Sequence, residues 1–377
     1  MQGFFMKDNP LRIAIVVGTR PEIIKMSPII RECGRRKQDY FILHTGQHYS
    51  YNMDQVFFEQ LELPKPKYNL DVGSGTQAEQ TGRALIGIEQ VLRKEQPDVV
   101  LVEGDTNTVL AGALAATKLH IKVGHVEAGL RSYDRTMPEE INRVLTDHIS
   151  DFCFAPTKKA KDILLSEGIS SENIFVTGNT IVDAVHQHMK LAEEKANILD
   201  TLNLQPNQFF LVTAHRQENV DDKNRFEGIL SSLKQLKEIY DFPVVYPIHP
   251  RAKKMMNKFH LNTDKITFID PVDFFGFLQL EQHARLILTD SGGVQEETCI
   301  LGRPCITLRD NTERPETVEA GSNMLAGTNP ETIINTVSLM MNSTKAWDNP
   351  LGDGTSGKQI VDILCVGHHL NFNEIMK

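Results

Sequence analysis

The sequence has no apolar run long enough to cross a membrane, because stretches such as 99–102 and 109–116 fall well short of the roughly 20 residues that a spanning helix needs. Residues 1–10 also lack the basic start and long apolar core of a signal peptide. The five cysteines form no Cys-x-x-Cys pair, and their odd number and scattered positions favour reduced, buried thiols. These absences predict a cytoplasmic protein with no membrane partner.

The sequence also has fewer basic than acidic residues, with 40 Lys and Arg against 49 Asp and Glu, which gives a formal net charge of -9. This balance argues against a nucleic-acid partner bound by a generally basic surface, although one local pocket can still be positive. We therefore expect any anionic ligand to be small. With 25 glycines, 17 prolines and 40% hydrophobic residues in 377, the composition excludes a disordered or collagen-like chain and favours two globular domains.

Short apolar runs alternate with longer segments of helical period along the chain. The runs lie at 13–17, 40–44, 99–103, 123–126, 152–154 and 174–176 and, after a polar stretch at 180–207, at 209–213, 244–248, 266–269, 286–289 and 305–308. Such alternation is typical of parallel strands covered by helices on both faces. We therefore predict an α/β protein with two Rossmann-like, doubly wound domains, at residues 1–182 and 183–359.

The carboxyl ends of the predicted strands are where an open parallel sheet binds its ligand. Asp105 and Asp290 occupy similar positions there, each just after an apolar strand and before a helix that leads to the next strand. If the two domains face each other, the central cleft between them is the expected active site.

A turn of small residues, Ser291, Gly292 and Gly293, follows one predicted strand and opens a helix. Its backbone N–H groups can meet a phosphate at the positive end of the helix, but a turn capped by Ser291 or Asp290 explains the local pattern equally well. Three further strand ends carry Arg20 with Lys25, His215, and His249. Together the four turns favour an anionic site.

Acidic side chains concentrate in the first half, with Asp105 and Glu127 just past consecutive strands and Glu139 beside Glu140 at the start of a helix. Negative charge that stabilises a helix N-terminus explains the last two equally well. We expect no metal, because no His-x-x-x-His or comparable ligand pair accompanies the set. Carboxylates opposite a phosphate-binding half suggest proton transfer beside a leaving phosphate, as in a nucleotide sugar.

Six short motifs of the chain form an ordered set: Gly18–Glu22, Gly104–Thr106, His125–Arg131, Pro138–Arg143, Asp290–Gly293 and Thr312–Glu316. In this order they resemble the signature blocks of the non-hydrolysing UDP-N-acetylglucosamine 2-epimerase family. The resemblance implies a glycosyltransferase-B-like pair of domains facing a central cleft, and a homodimer. It also implies a C-terminal helix at 360–377 that packs back on the first domain, and no metal or nicotinamide cofactor.

The same resemblance implies the reversible conversion of UDP-N-acetylglucosamine to UDP-N-acetylmannosamine. The C2 proton of the sugar is not next to a carbonyl, so it cannot simply be removed. Elimination of UDP to 2-acetamidoglucal, reprotonation on the other face and readdition of UDP would invert C2. This route needs donors that stabilise the departing diphosphate and carboxyl groups near C2.

By resemblance, the essential acids are Asp105, Glu127 and Glu139, and His215 is an essential histidine near the diphosphate; which carboxylate takes the proton stays open. The substrate contacts implied in the same way are Arg20, Lys25, His249, Ser291, Gly292, Gly293, Glu297 and Arg314, with Glu297 on the ribose. Phe277 matches the position whose ring packs on uracil, whereas on its own it would be interpreted as a core residue.

Many bacterial members of that family also have a regulatory UDP-N-acetylglucosamine site, built partly from the segment that here is 47–54. This segment departs from the usual bacterial pattern, so the presence of the site stays open. Three further functions also stay open. They are a hydrolysing 2-epimerase that releases UDP and N-acetylmannosamine, a retaining glycosyltransferase, and a nucleotide-sugar sensor without turnover.

Overall fold

The computed structural model describes residues 11–46, 57–343 and 346–369. The predictions made for residues 1–10 and for the regulatory segment 47–54 lie outside this part of the chain. The described residues divide into two compact units. The first unit comprises the described residues up to Ala184 together with those from Gly352 onward, and the second comprises Val185–Leu351.

The first unit contains, within its described residues, one seven-stranded sheet. Its strands are β1 (Arg12–Val17), β2 (Asp39–His44), β3 (Tyr68–Asn69), β4 (Val99–Glu103), β5 (Lys122–Val126), β6 (Phe152–Ala155) and β7 (Ile174–Val176). They lie in the order β3-β2-β1-β4-β5-β6-β7, and neighbouring strands are parallel. The strand order reverses between β1 and β4, and ligands of open sheets bind beside the carboxyl ends at such a switch point.

Helices connect these strands. They are α1 (Arg20–Arg36), α2 (Gln77–Glu95), α3 (Asn107–Lys118), α4 (Pro138–Ile149) and α5 (Lys158–Ser166), with a short 3-10 turn at Ser171–Asn173. After β7, helix α6 (Thr180–Lys195) begins in the first unit and continues into the second. Local chemistry explains where α2 begins, because the Thr76 hydroxyl accepts a hydrogen bond from the backbone N–H of Glu79 at 3.3 Å. The Glu79 carboxylate accepts in return from the backbone N–H of Thr76 at 2.8 Å, which completes a capping box.

The second unit contains a six-stranded parallel sheet with the order β10-β9-β8-β11-β12-β13 among its described residues. The strands are β8 (Phe210–Thr213), β9 (Val244–Pro247), β10 (Thr267–Ile269), β11 (Leu286–Thr289), β12 (Cys305–Thr307) and β13 (Asn323–Leu325). The helices are α7 (Ile198–Thr201), α8 (Gln217–Val220), α9 (Lys223–Tyr240), α10 (Pro250–Phe259), α11 (Phe274–His283), α12 (Gly292–Ile300), α13 (Pro315–Ala320) and α14 (Pro330–Asn342). Its switch point lies between β8 and β11.

Both faces of this second sheet are covered by apolar side chains. Successive residues of an extended chain point to opposite faces of a sheet, so alternate residues along 209–212 lie on opposite faces. Phe210 and Val212 pack in one hydrophobic cluster, whereas Phe209 and Leu211 pack in another. The continuous apolar strands therefore reflect burial on both faces, as in other parallel sheets.

The last described helix, α15 (Ser356–His369), belongs to the first unit. Its start is fixed by the Asp183 carboxylate, which accepts hydrogen bonds from the backbone N–H groups of Ser356 at 3.1 Å and Gly357 at 3.0 Å. Gly357 lies so close to α1 that an added Cβ would come within 3.0 Å of the backbone of Pro28. The close approach explains the absence of a side chain at this position.

The observed sheets confirm the predicted α/β class with parallel strands and alternating helices. Two short strands, β3 and β13, were not among the predicted runs, because each contains an asparagine and neither forms a continuous apolar run. Among the described residues, no helix combines the length and apolar character that crossing a bilayer requires.

Candidate active site

In the first unit, Glu22 joins the turn after β1 to the turn after β4. Its carboxylate accepts hydrogen bonds from the backbone N–H of Gly18 at 2.7 Å and from the hydroxyl of Thr19 at 2.8 Å. The hydroxyl of Thr106, in the second turn, donates to the same carboxylate at 2.9 Å. Burial raises the pKa of Glu22 to about 7, although these hydrogen bonds oppose the shift. The two turns at the switch point are thus fixed to each other by one buried acid.

Lys25, buried on α1, is the centre of a charged cluster in the same unit. Its ammonium group forms an ion pair with Glu127 and lies 3.5 Å from a carboxylate oxygen of Glu103. The side-chain amide of Asn179 donates a second hydrogen bond to Glu127 at 3.3 Å. Glu127 itself has a φ of 70°, a left-handed conformation that is uncommon for a residue with a side chain. Such strained positions cluster at functional sites.

Glu103, the last residue of β4, is only 2% exposed. Burial raises the pKa of Glu103 well above its usual range, and the carboxylates of Glu127 and Glu22 raise it further, whereas Lys25 lowers it only in part. The physical reason is that one cation cannot balance several neighbouring carboxylates in a buried site. The charged form of Glu103 is therefore disfavoured, and Lys25 is ion-paired with Glu127.

Asp105 lies two residues beyond β4 and is held by α4. Arg143 forms an ion pair with its carboxylate, and the side-chain amide of Asn142 donates to its backbone carbonyl at 2.9 Å. The guanidinium of Arg143 also lies 3.1 Å from the carboxylate of Glu140. Asp105 is thus fixed in both backbone and side chain.

The two adjacent acids at the start of α4 differ sharply. Glu140 is buried and accepts hydrogen bonds from the backbone N–H and hydroxyl of Ser132 and from the backbone N–H of Tyr133, each at 2.9 Å. Glu139 is exposed, and it forms no hydrogen bond or ion pair with any other described residue. The structure therefore brings Asp105 and Glu127 into the cluster around β4 and leaves Glu139 outside its hydrogen-bond network.

His125, on β5, supports the turn that carries Asp105. Its Nε2 lies 2.8 Å from the carbonyl oxygen of Gly104, and its Nδ1 lies 2.6 Å from the carboxylate of Asp147. Burial raises the pKa of Asp147, but His125 and Arg131 outweigh it and hold this pKa below its usual range. His125 is fully buried, so its contacts position the backbone and leave its ring no access to a ligand.

In the second unit, buried Asp290 ties the turn after β11 to the turn after β8. Its carboxylate accepts hydrogen bonds from the backbone N–H groups of His215 at 2.9 Å and Arg216 at 3.0 Å, and from the side chain of Asn219 at 3.1 Å. The His215 ring lies 3.3 Å from the same carboxylate and remains 43% exposed. This arrangement presents the His215 ring at the carboxyl end of the sheet.

The ring of His249 lies beside that of His215, with 5.6 Å between the ring centroids. His249 is the N-cap residue of α10, and its ring nitrogen accepts a hydrogen bond from the backbone N–H of Arg251 at 3.1 Å. Burial and the neighbouring His215 lower the pKa of His249. His249 thus has a local capping role besides its predicted contact with substrate.

Ser291 precedes α12, but its side chain makes no capping hydrogen bond to the helix. Asp290 is engaged with the turn after β8, so neither residue caps α12 through its side chain. The first backbone N–H groups of a helix have no acceptor within the helix itself. The backbone N–H of Ser291 donates to the hydroxyl of Thr289 at 3.0 Å, so the backbone donors that this turn can offer an anion are those of Gly292 and Gly293.

Arginines surround this turn. Glu313 accepts hydrogen bonds from Arg216 at 3.0 Å and Arg309 at 2.7 Å. Burial opposes ionisation of Glu313, yet the neighbouring arginines, Arg314 foremost, lower its pKa to about 2. Arg314 also lies 2.8 Å from Glu296.

The remaining predicted contacts lie on three helices. Arg20 begins α1, with its guanidinium 5.5 Å from the ring centroid of Phe57. Phe277, on α11, is half-buried and packs against an apolar cluster of the second sheet. Glu297, on α12, is half-buried and lies one helical turn after Gly293. Within the described part of the chain, no group of three or more His, Cys, Asp or Glu side chains is placed to hold a metal ion.

Comparison with known proteins identifies the family. A family profile described as UDP-N-acetylglucosamine 2-epimerase matches residues 31–365. The chain belongs to the UDP-N-acetylglucosamine 2-epimerase family. This membership confirms the resemblance carried by the six sequence motifs.

The relatives carry more than one 2-epimerase name. The UDP-N-acetylglucosamine 2-epimerase of Methanocaldococcus jannaschii is 58% identical over 366 residues, which cover 95% of this chain and 100% of that protein. The UDP-2,3-diacetamido-2,3-dideoxy-D-glucuronate 2-epimerase of Pseudomonas aeruginosa is 40% identical over 358 residues, or 94% of this chain and 99% of that protein.

A solved 2-epimerase structure is also similar. The crystal structure of the Methanocaldococcus jannaschii enzyme in complex with UDP-N-acetylglucosamine and UDP matches with a TM-score of 0.86. The match covers 95% of this chain and 100% of that chain, at 58% identity.

Several polar partners in these two clusters were not predicted from the sequence. In the first unit they are Glu22, Glu103, His125, Asn142 and Arg143, and in the second Arg216, Arg309 and Glu313. Membership in a motif was the available signal for five of them, since Glu22, His125, Asn142, Arg143 and Glu313 all lie within the six blocks. Glu103, Arg216 and Arg309 lie outside those blocks and carry no such signal.

Proposed function

We propose that the protein interconverts UDP-N-acetylglucosamine and UDP-N-acetylmannosamine by inverting C2 of the sugar. The observation that carries the proposal is the pair of chemically opposite clusters at the two switch points. The first holds carboxyl groups around one buried lysine, and the second offers backbone N–H groups, two histidines and arginines. Acid–base groups and an anion site are what elimination of a diphosphate requires.

The proposed reaction begins with cleavage of the bond between C1 and the phosphate oxygen. UDP departs with the electron pair, the C2 proton moves to a carboxylate, and a double bond forms between C1 and C2 to give 2-acetamidoglucal. A second group then protonates C2 on the opposite face, and the phosphate oxygen of UDP adds to C1. No atoms are gained or lost, and no metal or nicotinamide cofactor enters the balance.

The first unit would supply the proton carriers. Asp105 and Glu127 are each ion-paired to a buried cation, and we propose that both enter the reaction as carboxylates, the form that can accept a proton. Glu139 is exposed and free to exchange protons with solvent. Two faces of the sugar require two different carriers, and these three residues are the proposed set.

The second unit would bind UDP. His215, His249 and the open turn from Ser291 to Gly293 are placed to bind the diphosphate, with Arg314 nearby. Phe277 would contact uracil, and Glu297 would accept hydrogen bonds from the ribose hydroxyls. Arg20 and Lys25 are the proposed substrate contacts of the first unit. We also propose that the enzyme is a homodimer.

A product assay in deuterated water tests this proposal. With UDP-N-acetylglucosamine as substrate, nuclear magnetic resonance should reveal both UDP sugars with deuterium at C2. Free N-acetylmannosamine and UDP as the sole products would establish the hydrolysing reaction instead. The Glu79→Gln variant is a matched control, because Glu79 is an exposed acid of the first unit with a local capping role, and its turnover should equal that of the unaltered protein.

The same assay distinguishes an epimerase from a glycosyltransferase and from a sensor. A retaining glycosyltransferase would leave C2 without deuterium and would need an acceptor, and a sensor would bind UDP-N-acetylglucosamine without converting it. Because one relative at 40% identity is a UDP-2,3-diacetamido-2,3-dideoxy-D-glucuronate 2-epimerase, that sugar nucleotide is the second substrate to test. Faster exchange at C2 with it would reassign the substrate and retain the reaction type.

A further inference from the structure

A buried acid in the second unit has no place in the reaction proposed above. Glu281 lies on α11, a mainly apolar helix, and its side chain is 0% exposed. Neither of its carboxyl oxygens receives a hydrogen bond from a donor in the described part of the chain. Burying an ionised carboxylate without hydrogen-bond donors would cost a large free energy. The surroundings of Glu281 therefore favour its neutral, protonated form.

No cation is among the groups that shift the pKa of Glu281. From α12, which packs against α11, the facing group is the carboxylate of Glu297, and from β12 it is the thiol of Cys305. Burial raises the pKa of the Cys305 thiol to about 12, so this thiol remains neutral at ordinary pH.

Helices α6 and α7 also pack against α11. From α6, His188 lies against the rings of Phe274 and Phe275, and the Lys195 ammonium lies over the ring of Phe275. Neither of these groups, nor any charged group of α7, shifts the pKa of Glu281.

The contact between Glu281 and Glu297 is one between two carboxyl groups. Two acceptors in contact repel each other unless one carries a proton, which then forms a hydrogen bond between them. The fully buried partner is the one that holds the proton, because burial penalises its charged form more than that of half-buried Glu297. Burial, followed by the charge of Glu297, raises the pKa of Glu281 well above its usual range.

We propose that Glu281 is a positioning residue of the nucleotide site, whose protonated carboxyl donates a hydrogen bond to the carboxylate of Glu297 and orients it to accept from the ribose hydroxyls of UDP. This inference rests on the proposed function, because it takes Glu297 as the ribose contact. Glu297 lies one helical turn after Gly293, at the same end of the second sheet as the anion-binding turn. A neutral carboxylic acid that serves as a buried donor is an established device in enzymes.

The proposed hydrogen bond makes UDP affinity depend on pH. Below the raised pKa of Glu281 the proton is present and the contact is attractive. Above it the proton is lost, two carboxylates face each other, and Glu297 moves away from its binding position. UDP affinity should therefore fall as pH rises through the raised pKa.

The test measures the dissociation constant of UDP by calorimetry on the full chain, from about pH 6 to about pH 9, for the unaltered protein, E281Q and E281L. The amide of E281Q donates the same hydrogen bond and does not titrate. We expect E281Q to bind UDP within about threefold of the unaltered protein at low pH, and to be about tenfold tighter relative to it at high pH. E281L lacks the donor and should bind about tenfold more weakly at low pH.

Because UDP itself titrates in this range, the ratio of the two dissociation constants, E281Q against the unaltered protein, is the decisive quantity. A ratio that does not change with pH would overturn the inference, and so would unaltered affinity in E281L. If E281L fails to fold, as judged by circular dichroism, the pH dependence of the ratio still decides. Failure of the unaltered protein to bind UDP at any pH would overturn the nucleotide site and the proposed function together. Binding without turnover would instead overturn the proposed reaction alone.

Discussion

The turns at the two switch points share one architecture and carry opposite chemistry. In each unit a buried acid ties two strand-end turns together: Glu22 joins the turns after β1 and β4, and Asp290 joins those after β8 and β11. In the first unit the groups beside this framework are the half-buried carboxylates of Asp105 and Glu127. In the second they are backbone N–H groups and imidazole rings, with arginines close by.

The comparison shows how little of the fold determines the chemistry of a site. Both sheets are parallel and both reverse strand order at their centre, so the architecture alone specifies only where a ligand binds. A few residues determine the sign of the charge at each site. Lys25 has more carboxylates around it than it can balance, whereas Glu313 lies among more arginines than it can balance. The first unit thus gathers carboxyl groups, and the second gathers hydrogen-bond donors and arginines.

Removing one acid of the first unit is the most direct test of the proposed difference between the two units. We expect Asp105→Asn, Glu127→Gln and Glu139→Gln each to lower the rate of C2 exchange by about 10³-fold, the effect of losing a general acid or base. The dissociation constant of UDP should change by less than about threefold, because most of the proposed binding groups lie in the other unit. Deuterium incorporation and calorimetry measure the two quantities.

Normal turnover in any one of these variants would remove that residue from the mechanism. Glu139→Gln is the easiest of the three variants to interpret. The Glu139 side chain is exposed and has no described partner, so the substitution breaks no hydrogen bond or ion pair that could change the structure. A large loss of UDP affinity in Glu127→Gln would contradict the proposal that the first unit transfers protons and the second binds UDP.

A second experiment measures how the buried acid of the first unit, Glu22, makes the free energy of unfolding depend on pH. The pKa of Glu22 is raised from an ordinary value of 4.5 to about 7, so the folded protein binds this proton more tightly than the unfolded chain does. The stabilising contribution is therefore fully present below about pH 4.5 and is lost as pH rises through about 7. Relative to Glu22→Gln, the free energy of unfolding of the unaltered protein should fall by roughly 3 kcal/mol across this window.

Urea denaturation from about pH 4 to about pH 8 measures this difference. Glu79→Gln is the control, because hydrogen bonds from Thr76 lower the pKa of the exposed Glu79 and its linkage has the opposite sign. A constant difference between the unaltered protein and Glu22→Gln across this window would show that the buried acid does not titrate there.

A smaller effect is expected at the turn from Ser291 to Gly293, where we propose that the diphosphate binds. A Cβ added at Gly292 would lie 2.7 Å from a carboxylate oxygen of Glu313, which Arg216 and Arg309 hold in place. We expect Gly292→Ala to displace the turn and weaken UDP binding by about tenfold. Gly82→Ala is the matched control, because a Cβ there meets no heavy atom within 4 Å, and UDP binding should not change. Unaltered UDP affinity in Gly292→Ala would argue against a diphosphate at this turn.

Strand patterns and turn residues were sufficient to predict the class of fold. The apolar run at 286–289 coincides with β11, and the run at 99–103 coincides with β4, because full burial of a parallel strand leaves a continuous apolar signal. The two-residue β3 left no such signal, since its register comes from pairing with β2.

Electrostatic partners were much harder to predict. Lys25 and Glu127 are 102 residues apart, and Arg143 is 38 residues from Asp105, so no local pattern announces either pair. Glu281 differs, because a single acid within the apolar helix of residues 274–283 is visible in the sequence, although nothing local indicates its partner. The pKa of Glu103 depends on four neighbours brought together by folding, which no spacing rule predicts.

The Asp183 contact with the start of α15 has a consequence for genetics. A stop codon placed after Leu351 would leave every residue of the second unit in the product. The damage would fall on the first unit, which would lose the helix lying against Pro28 and leave Asp183 as a buried carboxylate without its two backbone donors. Truncations at the 3′ end of the gene would therefore impair the part of the enzyme encoded at the 5′ end.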